Sequence, residues 1–215
     1  FGFSRPGVNG LGLLEEDGDQ YLAFQFEKII SVNELNIFGQ HNISNVLAAV
    51  GLALAIGIDL NIIRAAIKKF KGLPHRCEWV ASVSGIDFYN DSKGTNVGAT
   101  MAAVEGLGQH IDGHIILIAG GVGKGAEFCS LVPVINRWGK EVILIGQDAV
   151  EMASNFDKDI NTYFATDMED AVTTAFEHGA AGDAVLLSPA CASFDMFDNF
   201  QHRGHSFIKS VEKLR

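Results

Sequence analysis

The sequence predicts an α/β protein whose larger, C-terminal part is a mainly parallel sheet flanked by helices. Three observations carry that prediction. From residue 95 onward, short apolar runs alternate with helical patterns, the arrangement of βαβ units. The stretch LIAGGVGKGAEF (residues 117–128) passes from a strand through a glycine-rich turn towards a helix, as ligand-binding turns of open α/β sheets do. KGLPHR, with Gly72 and Pro74, breaks the pattern and marks a domain boundary between residues 72 and 73.

Taken in order, residues 11–32 alternate apolar and polar side chains around EEDGDQ, which predicts strands joined by a turn. HNISNVLAAVGLALAIG is a helix that is apolar almost all round and therefore expected to be buried. Asn42 and Asn45 lie in its first turns, and Gly57 suits its C-terminal end. A shorter amphipathic helix over residues 60–70 carries Lys68, Lys69 and Lys71 near its end, where they complement the helix dipole. Beyond the boundary, RCEWVASV and IDFYND flank Ser84 and Gly85, a hairpin signal. The remaining pattern predicts helices over 96–105, 127–138, 149–155, 168–178 and 199–214. It predicts strands over 115–119, 142–145, 162–165 and 184–187.

Composition narrows the functional classes. At 215 residues, with 47% hydrophobic and 20% charged residues, the chain can build a substantial core. A net charge of −10 argues against a nucleic-acid partner or a membrane surface, each of which favours a basic face. The three cysteines form no C-x-x-C pair, so neither a zinc site nor a redox motif is supported, and free thiols fit a reducing compartment. The longest apolar run, residues 46–58, is too short to span a bilayer. FGFSRPGVNG reads as the interior of a longer protein.

The glycine loop is not a Walker A motif. That motif needs glycine six residues before its lysine and Ser or Thr after it, where this chain has Ile118 and Gly125. Gly121, Gly123 and Ala126 do match the dinucleotide fingerprint, with Asp148 as the nearest candidate for the ribose contact. Glu127 stands where a pyrophosphate would lie and would repel it. One lysine, Lys124, in such a loop suits a carboxylate better than a diphosphate. A lone loop lysine is ordinarily just solvated; its place at the carboxyl end of a parallel strand favours a ligand.

Other clusters point the same way. Arg76 suits stacking on a base or pairing with phosphate, Asp91 suits ribose hydroxyls, and Lys93 and Thr95 suit an oxyanion. Their structural alternatives are an Asx-turn for Asp91, an N-cap for Thr95 and simple exposure for Lys93. Asn42 and Asn45, at i and i+3, match the donor–acceptor edge of adenine, with helix capping as the alternative. Ser193, in LLSPACASFDMFDNF, lacks the G-x-S-x-G elbow of a nucleophile and suits carboxylate binding. His202 and His205, without an adjacent carboxylate, read as surface residues.

Five stretches in order, GQHNISNVLAAV, GLPHRCEWV, FYNDSKGTNVGAT, LIAGGVGKGAEF and LLSPACASFDMFDNFQHRGHSF, resemble the Mur ligases of bacterial peptidoglycan synthesis. The resemblance runs from residue 39 to the end of the chain. It implies that residues 1–72 end a central ATPase domain and that residues 73–215 form a Rossmann-like C-terminal domain. It further implies ATP-dependent amide formation through an acyl phosphate, with ATP and Mg2+. The acceptor loop SPACASFDMF points to D-glutamate as acceptor, and hence to UDP-N-acetylmuramoyl-L-alanine as donor. By matching motif, Asn42, Asn45, Arg76 and Asp91 become nucleotide contacts. Thr95, Lys124, Ser193 and Phe200 become D-glutamate contacts, and Lys93 lies near the reacting groups. The family's P-loop, its magnesium-holding glutamate and histidine, its carbamylated lysine and its uridine site lie upstream of such a segment. The chain therefore reads as a C-terminal fragment, inactive alone, of a monomeric cytoplasmic enzyme that binds neither nucleic acid nor membrane. The alternatives are another Mur ligase, a folylpolyglutamate synthase-like ligase, or a dinucleotide-binding oxidoreductase module built on Gly121, Gly123 and Ala126.

Overall fold

The computed structural model describes residues 6–7, 10–37 and 39–215, so most of the opening FGFSRPGVNG stretch lies outside the described residues. The chain divides into two compact units, Phe1–Gly72 and Leu73–Arg215.

In the first unit, β1 (Leu11–Glu16), β2 (Asp19–Phe24) and β3 (Glu27–Ser31) form an antiparallel sheet in that order. Both connecting turns, Asp17–Gly18 and Gln25–Phe26, have positive φ at each residue, the backbone that matches strand twist in two-residue hairpins. Helix α1 (Gln40–Ala55) buries Ile43, Val46, Leu47 and Val50 against this sheet's apolar side chains. The expectation of an all-round buried helix is corrected here: Leu52 is 72% exposed and Ile56 78%. The helix lays one stripe on the face of the sheet it meets, and the side chains off that stripe stay exposed. Helix α2 (Leu60–Lys69) starts at Asp59, whose carboxylate accepts the Asn61 N–H. The Arg64 guanidinium then donates to the Ile29 and Lys28 carbonyls of β3.

The second unit is a six-stranded sheet. Its strands are β4 (Glu78–Val83), β5 (Ile86–Asn90), β6 (Ile115–Gly120), β7 (Gly139–Ile145), β8 (Asn161–Phe164) and β9 (Ala184–Leu187), in spatial order β4-β5-β9-β6-β7-β8. Only β4 is antiparallel, joined to β5 through the Ser84–Gly85 turn; the other five strands run parallel. The predicted mainly parallel, helix-flanked sheet is thus what the chain builds. β6 and β9 are buried at every residue, as central parallel strands covered on both faces must be.

Helices α3 (Val97–Gly108), α4 (Val132–Trp138), α5 (Ala149–Ser154), α6 (Met168–His178) and α7 (Phe200–Glu212) connect and follow the strands. α6 and α7 share a core with one face of the sheet, where Met168, Val172, Phe207 and Val211 meet Phe88, Ile116, Ile118, Ile143 and Val185. The predicted helix over 127–138 is split: residues Phe128–Leu131 form a 3₁₀ turn and α4 begins only at Val132. Pro133 has no N–H to continue an upstream helix, and it is tolerated in a first turn.

Gly120 and Gly121 end β6 with φ of +121° and +127°. A Cβ on Gly120 would collide with the Ile145 carbonyl, and one on Gly121 with the Ala192 carbonyl. Gly121→Ala is therefore expected to destabilise the protein by about 3–5 kcal/mol, combining backbone strain with backbone collision. Urea denaturation checks this; a loss below about 1 kcal/mol would show that the loop relaxes freely.

Candidate functional site

In open parallel sheets ligands bind beyond the carboxyl ends of the strands. Here the loops at that edge are stitched together by backbone hydrogen bonds. The Asp91 N–H donates to the Leu187 carbonyl at 2.7 Å, and Ala190 to Gly94 at 2.9 Å. Gly120 donates to Pro189 at 2.9 Å, Val122 and Ala192 exchange a reciprocal pair at 2.9 and 3.0 Å, and Asp148 donates to Gly121 at 3.0 Å. The segments carrying Thr95, Lys124 and Ser193 therefore belong to one bonded ledge.

Within the glycine loop, the N–H groups of Gly120, Val122, Gly123 and Ala126 already have protein acceptors. A phosphate cradle needs such groups free. The Gly123 acceptor is the carboxylate of Asp148, at 2.7 Å. The acid that a dinucleotide site would turn to a ribose thus holds the loop instead. Asp195 does a similar service, accepting the Gln147 N–H at 2.8 Å. Lys124 follows with φ of +54°, exposed and without a hydrogen bond or ion pair among the described residues. The loop offers an ammonium more readily than a ring of amides.

The loop after β5 holds the other candidates. Lys93 Nζ sits 4.1 Å from the centre of the Phe200 ring, a cation–π contact that joins two predicted site residues. The Phe200 carbonyl accepts the Ser92 hydroxyl at 2.8 Å. Thr95 is half-buried, and it does not cap α3: that position belongs to Asn96, whose side chain accepts the Ala99 N–H at 2.9 Å. Ser193 is 3% exposed, and its carbonyl accepts the Phe197 N–H at 2.9 Å. Arg76 is exposed. In the first unit, α1 takes Gly39 as its cap residue without a side-chain bond from that residue, so neither Asn42 nor Asn45 stands at the cap position itself. Asn42 is half-buried and Asn45 exposed. His202 is corrected in one respect: Asp198 does lie beside it, 3.2 Å away, and both are exposed.

A family model for the Mur ligase glutamate ligase domain matches residues 75–191. The UDP-N-acetylmuramoylalanine–D-glutamate ligase of Pseudomonas aeruginosa is 49% identical over 214 residues, taking in 100% of this chain and 48% of that protein. The chain belongs to the Mur ligase family. It spans about half the length of the curated relatives it matches. Its fold is that of the UDP-N-acetylmuramate-alanine ligase of Thermotoga maritima, with a TM-score of 0.68 at 13% identity over 95% of this chain and 46% of that one. The folylpolyglutamate synthase of Mycobacterium tuberculosis, solved with ADP, has a TM-score of 0.62 at 17% identity over 84% of this chain and 45% of its own.

Around Asp91, this Mur ligase chain also contains polar residues that the motif reading passed over: Ser188, Thr100, His75 and Arg203. Asp91, 8% exposed, accepts the Cys77 N–H at 3.2 Å and the Ser188 hydroxyl at 2.7 Å; Ser188 also meets the Thr100 hydroxyl at 3.0 Å. Asp91 is therefore tied to residues far away in sequence rather than closing a local Asx-turn. His75, 5% exposed, packs edge-on against the rings of Phe200 and His205 and meets the Asn90 amide at 2.9 Å. Arg203 is 1% exposed. Its signal was legible: residues 203, 207 and 211 fall on one helical stripe, so the arginine shares the buried face with Phe207 and Val211.

Burial pushes the Asp91 carboxyl up to about 6, against the pull of the Ser188 hydroxyl, the Cys77 N–H and the charges of Arg76 and Arg203. Between its ordinary value of 3.8 and about 6 the folded state holds more protons than the unfolded state. Its contribution thus favours folding at acid pH and is lost as pH rises through that window. Asp91→Asn carries no such penalty. Relative to the parent protein it is expected to gain on the order of 2 kcal/mol between pH 4 and pH 7. Urea titrations at both pH values test this; a pH-independent difference would contradict it.

Proposed function

We propose that this chain is the C-terminal half of an ATP-dependent ligase that joins D-glutamate to UDP-N-acetylmuramoyl-L-alanine in cytoplasmic peptidoglycan synthesis. The observation that carries the reading is 49% identity along the whole chain to a D-glutamate ligase, together with a glycine loop in which the Gly120, Val122, Gly123 and Ala126 amides are already bonded and the lysine is open. Residues 1–72 are then the end of the ATPase domain, and residues 73–215 are the amino-acid-binding domain.

In this reading Asn42 and Asn45 meet the adenine edge, and Arg76 and Asp91 contribute to the nucleotide side. Lys124 and Thr95 hold one carboxylate of D-glutamate; Ser193 and the Phe200 segment hold the other. Two carboxylates entering a partly buried site need charged or N–H partners, because unpaired buried charge is costly. ATP phosphorylates the alanine carboxylate of the donor. The D-glutamate amine then attacks the acyl carbon, and phosphate leaves from the tetrahedral intermediate. The second unit contributes by orienting the amine, with Lys93 near the reacting groups, and by positive charge as the intermediate develops. Among the described residues no group of three or more His, Cys, Asp or Glu could hold a metal ion, and this reading assigns magnesium no ligand from them. The oxidoreductase reading loses its ribose acid to Gly123.

The test is amide formation by the ligase that carries this chain, with D-glutamate set against L-glutamate, other amino acids and folate substrates. Lys124→Ala is expected to raise the KM for D-glutamate ten- to a hundredfold, the loss of a charged hydrogen bond worth about 1.5–3 kcal/mol, while the KM for ATP stays within about twofold. Loss of ATP affinity with an unchanged D-glutamate KM would make the loop a phosphate site.

A further inference from the structure

Arg203 is a buried charge that the proposed chemistry leaves without a task. Its Nε donates to Ser92 Oγ at 3.1 Å, and its Nη2 donates to the Ser92 carbonyl at 3.0 Å and the Cys191 carbonyl at 3.1 Å. Ser92, itself fully buried, donates its hydroxyl to the Phe200 carbonyl at 2.8 Å. One guanidinium therefore fastens three segments: the loop after β5, the loop after β9 and the start of α7. Those segments carry Lys93 and Thr95, Ser193, and Phe200. A lysine has the charge but lacks the planar fork that reaches two carbonyls and a hydroxyl at once.

The arrangement is expensive for a purely structural tie. Among the described residues no carboxylate lies within ion-pair distance of Arg203, and Nη1 has no hydrogen-bond partner. Asp91 and Asp195 act on it only through space, and burial lowers its pKa to about 10, so it stays charged at neutral pH. Beside Phe207 and Val211, an apolar side chain of similar volume would avoid that penalty.

We propose that Arg203 is a positioning residue for the acceptor amino acid, holding the Lys93–Thr95 loop, Ser193 and the Phe200 segment in the register that binds its carboxylates. The inference rests on the ligase reading above. It places acceptor binding under the control of a side chain that touches no substrate.

Steady-state kinetics of the ligase carrying this chain, as parent protein, Arg203→Lys, Arg203→Met and Ser92→Ala, test it. Arg203→Lys and Ser92→Ala are expected to raise the KM for D-glutamate at least tenfold with the KM for ATP within about twofold and a retained cooperative melting transition. Arg203→Met is expected to lose most; should it fail to fold, the other two variants still decide. Unchanged D-glutamate KM values in both, or an equal rise in the KM for ATP, would overturn the inference while leaving the ligase reading in place. A parent protein that makes no product from D-glutamate would overturn the ligase reading itself, and the inference with it.

Discussion

Everything at the functional edge depends on how closely the end of β6 approaches its neighbours. Gly120 and Gly121 carry the chain past the Ile145 and Ala192 carbonyls at separations that exclude any side chain. That approach allows the Gly120–Pro189 and Val122–Ala192 hydrogen bonds, which in turn seat the segment containing Ser193. The glycines here serve backbone-to-backbone packing; in a nucleotide fingerprint the same residue type serves backbone-to-phosphate packing. One sequence pattern thus has two physical uses, and only the partner atoms distinguish them.

The four bonded amides of the glycine loop have a chemical consequence. With Gly120, Val122, Gly123 and Ala126 committed to protein acceptors, the loop has fewer N–H groups to offer the several oxygens of a diphosphate. It can still present one ammonium. Lys124 in left-handed backbone, next to a Gly123 pinned by Asp148, is held from one side only and keeps its side chain in solvent. That suits a small anionic ligand which arrives from solution and must also leave.

Behind the edge, several polar groups are buried, Asp91, Ser92, Thr100, Ser188 and Arg203 among them. Asp91, Ser188 and Thr100 form one connected set; Arg203, Ser92 and the Phe200 carbonyl form another. Buried polar networks are tolerated when nearly every member is satisfied, and they then restrict the loops they join to a single arrangement. Apolar packing fixes the strands, while these networks set the loops between them. The distinction matters because strands supply the scaffold, and candidate site residues project from the loops.

The sequence by itself determined the strand–helix alternation, the hairpin at Ser84–Gly85, the boundary near Gly72 and the family, because each is written in local periodicity, turn chemistry or linked motifs. It also brought out Lys124, Thr95 and Ser193 as residues of strand-end loops, since parallel sheets bind ligands at that edge. Helix starts were less legible. Local pattern favoured a helix from residue 127, and Pro133 delayed it to Val132. Thr95 read as a possible cap, and Asn96 took the place because its side chain reaches the Ala99 N–H. What only the tertiary structure decided was which polar atoms pair across long sequence separations. Asp91 with Ser188, Asp148 with Gly123, and Arg203 with Ser92 and Cys191 are joined by strand order. No local pattern encodes strand order, because it follows from packing both faces of the whole sheet at once.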